Sequence, residues 1–215
     1  MKRLIRLLLG LWVTIVAAQA PTDTVVLHQG DFRVTWSHSA KYPVRVVWKL
    51  TPDMLDCPAP LKRCDCFKPN PKLPGESALK NDYAGSGYDR GHNFNAADGS
   101  CQTKEVNERC WYYTNMTPQT PDLNQRTWKE LEEQCRKWVR EGDELLIKCG
   151  SFGCVKKIGA NKVWVPKYCW KIIYHKNGVV DAFLMPNTRD VDEHDFFYYH
   201  TDITVIRQKT GLKGL

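Results

Sequence analysis

Four consecutive residues, Asp89-Arg90-Gly91-His92, set an acid, a fixed cation and an imidazole around one glycine. A buried core has little use for that set, and a surface turn that takes Asp and Gly seldom fixes Arg and His between them. The chemistry these side chains suit is hydrolysis of a phosphodiester. Something must take a proton from water, and an imidazole, with an unperturbed pKa near ~6.5, does so around neutral pH. Charge must also be neutralised on the phosphate and the leaving oxygen, a task for a hard divalent cation held through oxygen. A guanidinium adds a planar fork for phosphate oxygens. The chain offers His92, an asparagine at a helix start in Asn124, and Arg63 and Arg90 nearby in sequence.

Positioning these groups requires strands and at least one helix. Residues 24–50 alternate apolar and polar side chains and read as two strands, VVLHQGDFRVTWSH and YPVRVVWKLT, joined through a turn. Residues 52–82 are rich in Pro, Cys, Lys and Asn and read as a long irregular segment held by disulfides. The strand carrying His92 leads into a loop, 98–109, and the β-prone CWYYTNMTP at 110–118 reads as the next strand. A helix follows, with Asn124 at its N-cap, Gly142 at its end, and Trp128, Leu131, Cys135, Trp138 and Val139 on its apolar face. ELLIKCGSF and KVWVPKYCWKIIYHKNGVVDAFLMPN supply more strands, with Asn177-Gly178 as a hairpin signal. The tail holds two segments whose type the pattern leaves open. The expected fold is α+β, with a mainly antiparallel sheet core, a strand–loop–strand–helix unit at 88–141 and disulfide support.

The first twenty residues read as a secretory signal peptide. Lys2, Arg3 and Arg6 form a basic start, an apolar run follows, and small residues close it. Ala20 is one cut site, but Pro21 follows it, so cleavage after Ala18 fits better. The remaining 21–215 has the length of one domain. The expected location is secreted or periplasmic, with no membrane association after cleavage. The formal net charge is +7, and without the signal's cations 28 basic residues face 24 acidic ones, a balance compatible with a polyanionic partner. Nine cysteines, Cys57, Cys64, Cys66, Cys101, Cys110, Cys135, Cys149, Cys154 and Cys169, read as disulfide partners in such a setting. Eight would allow 105 connectivities. The short separations of Cys101/Cys110 and Cys149/Cys154 make those pairs the first expectation. A zinc site is the weaker alternative, since no C-x-x-C occurs.

Two segments, DRGHNFNAAD and YYTNMTPQTPDLNQRTWKELE, in this order and at this separation, resemble the DNA/RNA non-specific endonucleases. The resemblance is clearest from Asp82 to Arg140. It implies a ββα-metal finger in which His92 is the general base and Asn124 the sole protein ligand of a hydrated Mg²⁺, with Mn²⁺ able to substitute. It implies further that Glu132 orders water around the metal, that Asn115 lies near the site, and that Arg63, with Arg90 as a second candidate, contacts phosphate. DNA and RNA are the implied partners, the products carry 5′-phosphate and 3′-hydroxyl ends, and a homodimer is compatible with the pattern. The sequence departs from the family at Asn95, where a proline is usual, and Cys66 disturbs the segment around Arg63.

Plainer roles stand beside these. Asn124 serves equally as a helix cap, Glu132 as a solvated helix acid, Asn115 as a strand end and Asp89 as a tie between strands. His28, His38, His175, His194 and His200 read as surface or satisfied core residues. Trp128, Trp138 and the run 196–199 read as core. The competing function is a secreted nucleic-acid-binding protein that has lost catalysis, against which the complete His92/Asn124 pair argues. A disulfide-rich structural domain with a chance motif ranks last.

Overall fold

The computed structural model describes residues 19–215, so the signal-peptide reading falls almost wholly outside the described residues. In chain order the strands are β1 (Thr24–His28), β2 (Phe32–Ser37), β3 (Pro43–Leu50), β4 (Asp89–His92), β5 (Met116–Gln119), β6 (Leu145–Phe152), β7 (Lys156–Ile158), β8 (Val163–Val165), β9 (Tyr168–His175), β10 (Val180–Pro186) and β11 (His200–Thr201). The helices are α1 (Lys80–Tyr83), α2 (Lys104–Cys110), α3 (Trp128–Arg140) and α4 (Ile203–Thr210). Seven strands form one antiparallel sheet in the order β1-β2-β3-β6-β9-β10-β11, while β4-β5 and β7-β8 are separate two-stranded ladders.

Strand alternation gives the sheet two covered faces. From β9 and β10, Cys169, Ile173, Phe183 and Met185 point into the core shared with α3, while Trp170, Ile172 and Ala182 point into the core shared with α4. On α3, Trp128, Leu131, Cys135 and Val139 are buried at helical spacing, as the pattern predicts, and Trp138 is half-buried. Full burial of each such apolar side chain contributes about 1.5–3 kcal/mol, so this stripe fixes the helix against the sheet.

Several sequence expectations are corrected. Residues 24–37 form two strands, not one. Gly30, with φ +90°, reverses the chain, and Gln29 N–H closes the turn on the Phe32 carbonyl. The inward positions change from odd numbers on β1 (Val25, Leu27) to even numbers on β2 (Phe32, Val34, Trp36), so the turn shows in the sequence as a slip of one residue in the alternation. The 98–109 loop and the 110–118 strand are also redrawn. Thr103 caps α2 by accepting from Val106 N–H, and Tyr113–Asn115 makes a 3-10 turn, leaving only Met116–Gln119 extended. Trp111 and Tyr113 are β-prone, but they fill core here. Of the run 196–199, Phe196 and Tyr199 pack on the core, whereas Phe197 and Tyr198 are exposed.

The expected cysteine pairs are replaced as well. Cys57 is bonded to Cys101 and Cys64 to Cys66, while Cys110, Cys135, Cys149 and Cys169 are buried thiols and Cys154 is an exposed one. Cys101 precedes α2 and Cys110 is its last residue, so the helix, rising about 1.5 Å per residue, separates them, and Cys101 is bonded to Cys57 instead. Cys149 sits inside β6 and Cys154 beyond its end, so extended chain separates them in the same way.

Candidate active site

His92 ends β4, whose four residues pair with β5 in the register Asp89↔Gln119 through His92↔Met116. Gly91 leaves room for the Gln119 carboxamide laid across the strand, which a Cβ at this position would displace. The imidazole is 9 % exposed and stands edge-on to Trp111, with ring centres 4.7 Å apart, and 5.5 Å from Phe67. Burial first, then the charges of Arg63 and Arg90, push its pKa down to about 3. His92 is therefore neutral at physiological pH, and its Nε2 makes no hydrogen bond among the described residues.

Asn124 is not the helix cap. Thr120 takes that role, with its hydroxyl accepting from Leu123 N–H at 3.3 Å and Pro121 next in line. Residues Leu123–Thr127 then form a π-helical turn before α3, a device often found at functional sites. With the capping done by Thr120, the Asn124 side chain is available for the cleft. Its Nδ2 donates to Asp89 Oδ2 at 2.9 Å, and Gln125 Nε2 donates to the same oxygen at 2.7 Å. Asp89 thus ties β4 to the helix, as the sequence suggests, and in doing so turns the Asn124 carbonyl oxygen away from itself.

A cleft of about 490 Å³ brings these groups together. His92, Asn124, Glu132, Arg63 and Arg90 all line it, with Asn95, Gln125, Lys129 and Arg136. Burial pushes the Glu132 carboxyl up to about 7 against the pull of Lys171 and Arg136. Lys171 is itself buried on β9, 4.0 Å from Glu132 Oε1 and 4.3 Å over the Trp128 ring. Asn95 has a definite task in place of the family's proline. Its Oδ1 accepts from Asp98 N–H at 3.0 Å and from Arg136 at 3.3 Å, and Arg136 also pairs with the buried Asp98. The loop substitution thereby fixes a cation at the cleft wall.

Arg63 reaches the cleft from the irregular segment. Its Nε donates to Asp65 at 2.9 Å, and its guanidinium lies 4.8 Å from the Trp111 ring centre. The Cys64–Cys66 bond spans Asp65, so Cys66 helps to shape this segment and does not displace Arg63. Arg90 stacks on Phe67 at 4.0 Å. Asn115 is the one predicted site residue that the structure does not bring to the cleft. It is fully buried, accepts from Phe94 N–H at 3.0 Å, and donates to the carbonyls of Phe94 and Cys110 at 2.8 Å each. It braces the chain just beyond His92 and is a positioning residue.

Sequence reasoning missed Gln125, Lys129, Arg136 and Lys171. The signal for the first three lies in helical spacing, since with Glu132 they fall at i, i+4, i+7 and i+11, one face of a helix that begins beside Asn124. For Lys171 it is a lone cation inside the otherwise apolar strand YCWKIIYH.

A two-stranded ladder and a helix packed on one face of an antiparallel sheet, with an imidazole, an oriented amide and a carboxyl in one cationic cleft, define a ββα-finger protein. Comparison with known proteins is specific: the model of the DNA/RNA non-specific endonucleases matches residues 13–214, and the chain belongs to that family. It is 36 % identical over 171 residues to a nuclease of Nostoc sp., covering 79 % of this chain and 61 % of that protein. It is 30 % identical to human mitochondrial endonuclease G over 69 % of this chain and 54 % of that one. Human mitochondrial nuclease EXOG is 28 % identical over 72 % and 47 %. The chain spans about half to two thirds of the length of such curated relatives. In solved structures, an EndoG/EndoGI complex contains a chain of the same fold, with a TM-score of 0.78 at 22 % identity over 87 % of this chain and 84 % of that one.

Proposed function

We propose that this chain is a secreted or periplasmic endonuclease that hydrolyses DNA and RNA with little sequence preference, using one hydrated Mg²⁺. The observation that carries the reading is the meeting of His92, Asn124, Glu132, Arg63 and Arg90 in one cleft. The donor set fits a hard cation: an amide oxygen freed by the Asp89 contact, with a carboxyl nearby to accept from water. Asn124 would hold Mg²⁺, or Mn²⁺, and Glu132 would order its hydration water. When bound, the cation supplies charge stabilisation at the phosphate and the leaving oxygen.

Within the protein, Arg63 and Arg90 hold the phosphate oxygens, and the cleft-facing nitrogen of the His92 imidazole takes the proton of the attacking water for in-line displacement. The anionic phosphate offsets the two guanidinium charges that depress His92, so the imidazole becomes a better proton acceptor when substrate is present. Trp111 and Phe67 keep the ring in one orientation. Attack on phosphorus with departure of the 3′ oxygen leaves 5′-phosphate and 3′-hydroxyl ends. Contacts to the backbone phosphates carry no sequence information, which accounts for the broad substrate range. Signal cleavage after Ala18 is supported by Ala20, which is buried and donates to the Thr210 carbonyl at 3.1 Å, a contact that a chain starting at Gln19 retains.

The test is digestion of plasmid DNA and of RNA by the oxidised mature protein, with Mg²⁺ and with EDTA, beside His92→Ala. Wild type should cut both substrates only with metal, and His92→Ala, shown by a cooperative melt to be folded at the assay temperature, should lose about 10²–10⁴-fold. Cleavage by His92→Ala at the wild-type rate removes His92 from catalysis. A folded wild type that shifts nucleic acid in a gel without cutting it is a binding protein instead.

A further inference from the structure

The catalytic cleft does not end at Asn124. On the side of Arg90 away from His92 it continues into a second depression of about 450 Å³ that shares Arg63, Arg90, Asn124 and Gln125 with the first and adds Lys80 and Tyr88. Tyr88 is shared in turn with a third depression of about 440 Å³, lined by Lys156 and Arg189. Among the described residues no carboxylate lines that third depression. In the second, the two that do are engaged, Asp65 by Arg63 and Asp89 by Asn124 and Gln125. The cations at the far end are placed by contacts. Lys156 Nζ lies 4.7 Å over the Tyr88 ring, which holds an exposed ammonium at the groove. The Arg189 guanidinium lies alongside Gly87.

We propose that Tyr88, Lys156 and Arg189 form a second phosphate subsite, and that the three depressions together make one track for the backbone of the polynucleotide strand being cut. This rests on the nuclease reading above and extends it: the protein grips the chain beyond the scissile bond. Cations outnumber the acids along the track, with none of the latter at its far end, which suits a polyanion of regular charge spacing, and a mononucleotide could fill only one depression. The track lies in the region where β4, β7 and the segment after β10 come together, so two elements outside the ββα finger, carrying Lys156 and Arg189, contribute to substrate binding.

The experiment compares the mature wild type with Lys156→Ala/Arg189→Ala, and with Lys209→Ala/Lys213→Ala, which removes the same charge at and beyond the end of α4. Binding of a fluorescein-labelled oligonucleotide is followed by anisotropy in EDTA across a salt series. Cleavage of the same oligonucleotide and of a dinucleotide is followed with Mg²⁺. The first double variant should bind roughly tenfold more weakly near physiological salt, and its log–log salt slope should be shallower by about 1.4–1.8, the loss of two phosphate contacts. Melting temperature should match wild type, and cleavage of the dinucleotide should fall by a smaller factor than cleavage of the oligonucleotide. An unchanged slope, or an equal change in both double variants, overturns the proposal. Failure of wild type to cut either substrate overturns the nuclease reading instead and leaves the binding comparison intact.

Discussion

Asn115 and Asn124 carry the same amide to different ends. Every polar atom of the Asn115 side chain is spent on backbone, and the groups it satisfies have no water to turn to. Asn115→Ala leaves the Phe94 N–H and two carbonyls short of a partner, and each such loss costs about 1–3 kcal/mol. A urea melt should show a fall of about 3 kcal/mol or more, and wild-type stability in that variant would refute the bracing role. Asn124, half-buried and tied only to Asp89, should give the opposite result. Asn124→Ala should melt within about 1 kcal/mol of wild type, while the Mg²⁺ concentration that half-saturates cleavage rises steeply. An unchanged Mg²⁺ titration would take Asn124 out of the site. Types and order of residues point to both asparagines, but sequence cannot separate them, because which amide faces a cleft and which faces backbone is decided by the 3-10 turn at Tyr113–Asn115 and the π turn at Leu123–Thr127. Neither turn has a periodic signature.

The element that decides the site is the start of the helix leading into α3. Thr120 accepts from Leu123 N–H and donates to the Thr188 carbonyl at 2.8 Å, so it caps the helix and ties it to the segment after β10. Thr120→Ala should lower stability by about 1–2 kcal/mol and weaken Mg²⁺ dependence along with it, whereas Thr120→Ser should restore both. Thermal unfolding checks this, and equal melting of all three proteins would show that the cap lies elsewhere. α3 itself is legible in the sequence because its buried stripe repeats at helical spacing, and β6, β9 and β10 because they are long and apolar. α2 is not, since its seven residues bury only Val106, Asn107 and Cys110 and offer no stripe to read. The β1–β2 turn leaves a different signal, a one-residue slip in the alternation between Leu27 and Phe32, which is read through when the segment is taken as one strand. The cleft lining is legible on the strand side, where DRGH is contiguous, and less so on the helix side, where Lys129 and Arg136 are visible only once the helix is placed.

At the scale of the whole molecule, both faces of the sheet are covered and the cationic track runs along one side, so a modest charge excess is enough for a polyanion where it is concentrated. The same packing seals Cys110, Cys135, Cys149 and Cys169 inside as thiols, while Cys57 and Cys101 are joined across the surface segment. Their pKa values are raised by burial, to about 12 for Cys110 and Cys135, which suppresses the reactive thiolate once the fold is complete. Before that point nothing protects them. In an oxidising compartment the order of events therefore matters: the sheet and α3 must close before oxidant reaches the four sulfurs, and pairing strands distant in sequence is slow enough to overlap with the onset of thiol oxidation, which proceeds over seconds to hours. Refolding under reductant followed by oxidation should return more soluble, monomeric protein than refolding with oxidised glutathione present from the start, as read by size-exclusion yield. Equal yields would mean that the interior closes so early that the surrounding redox potential never finds those sulfurs exposed.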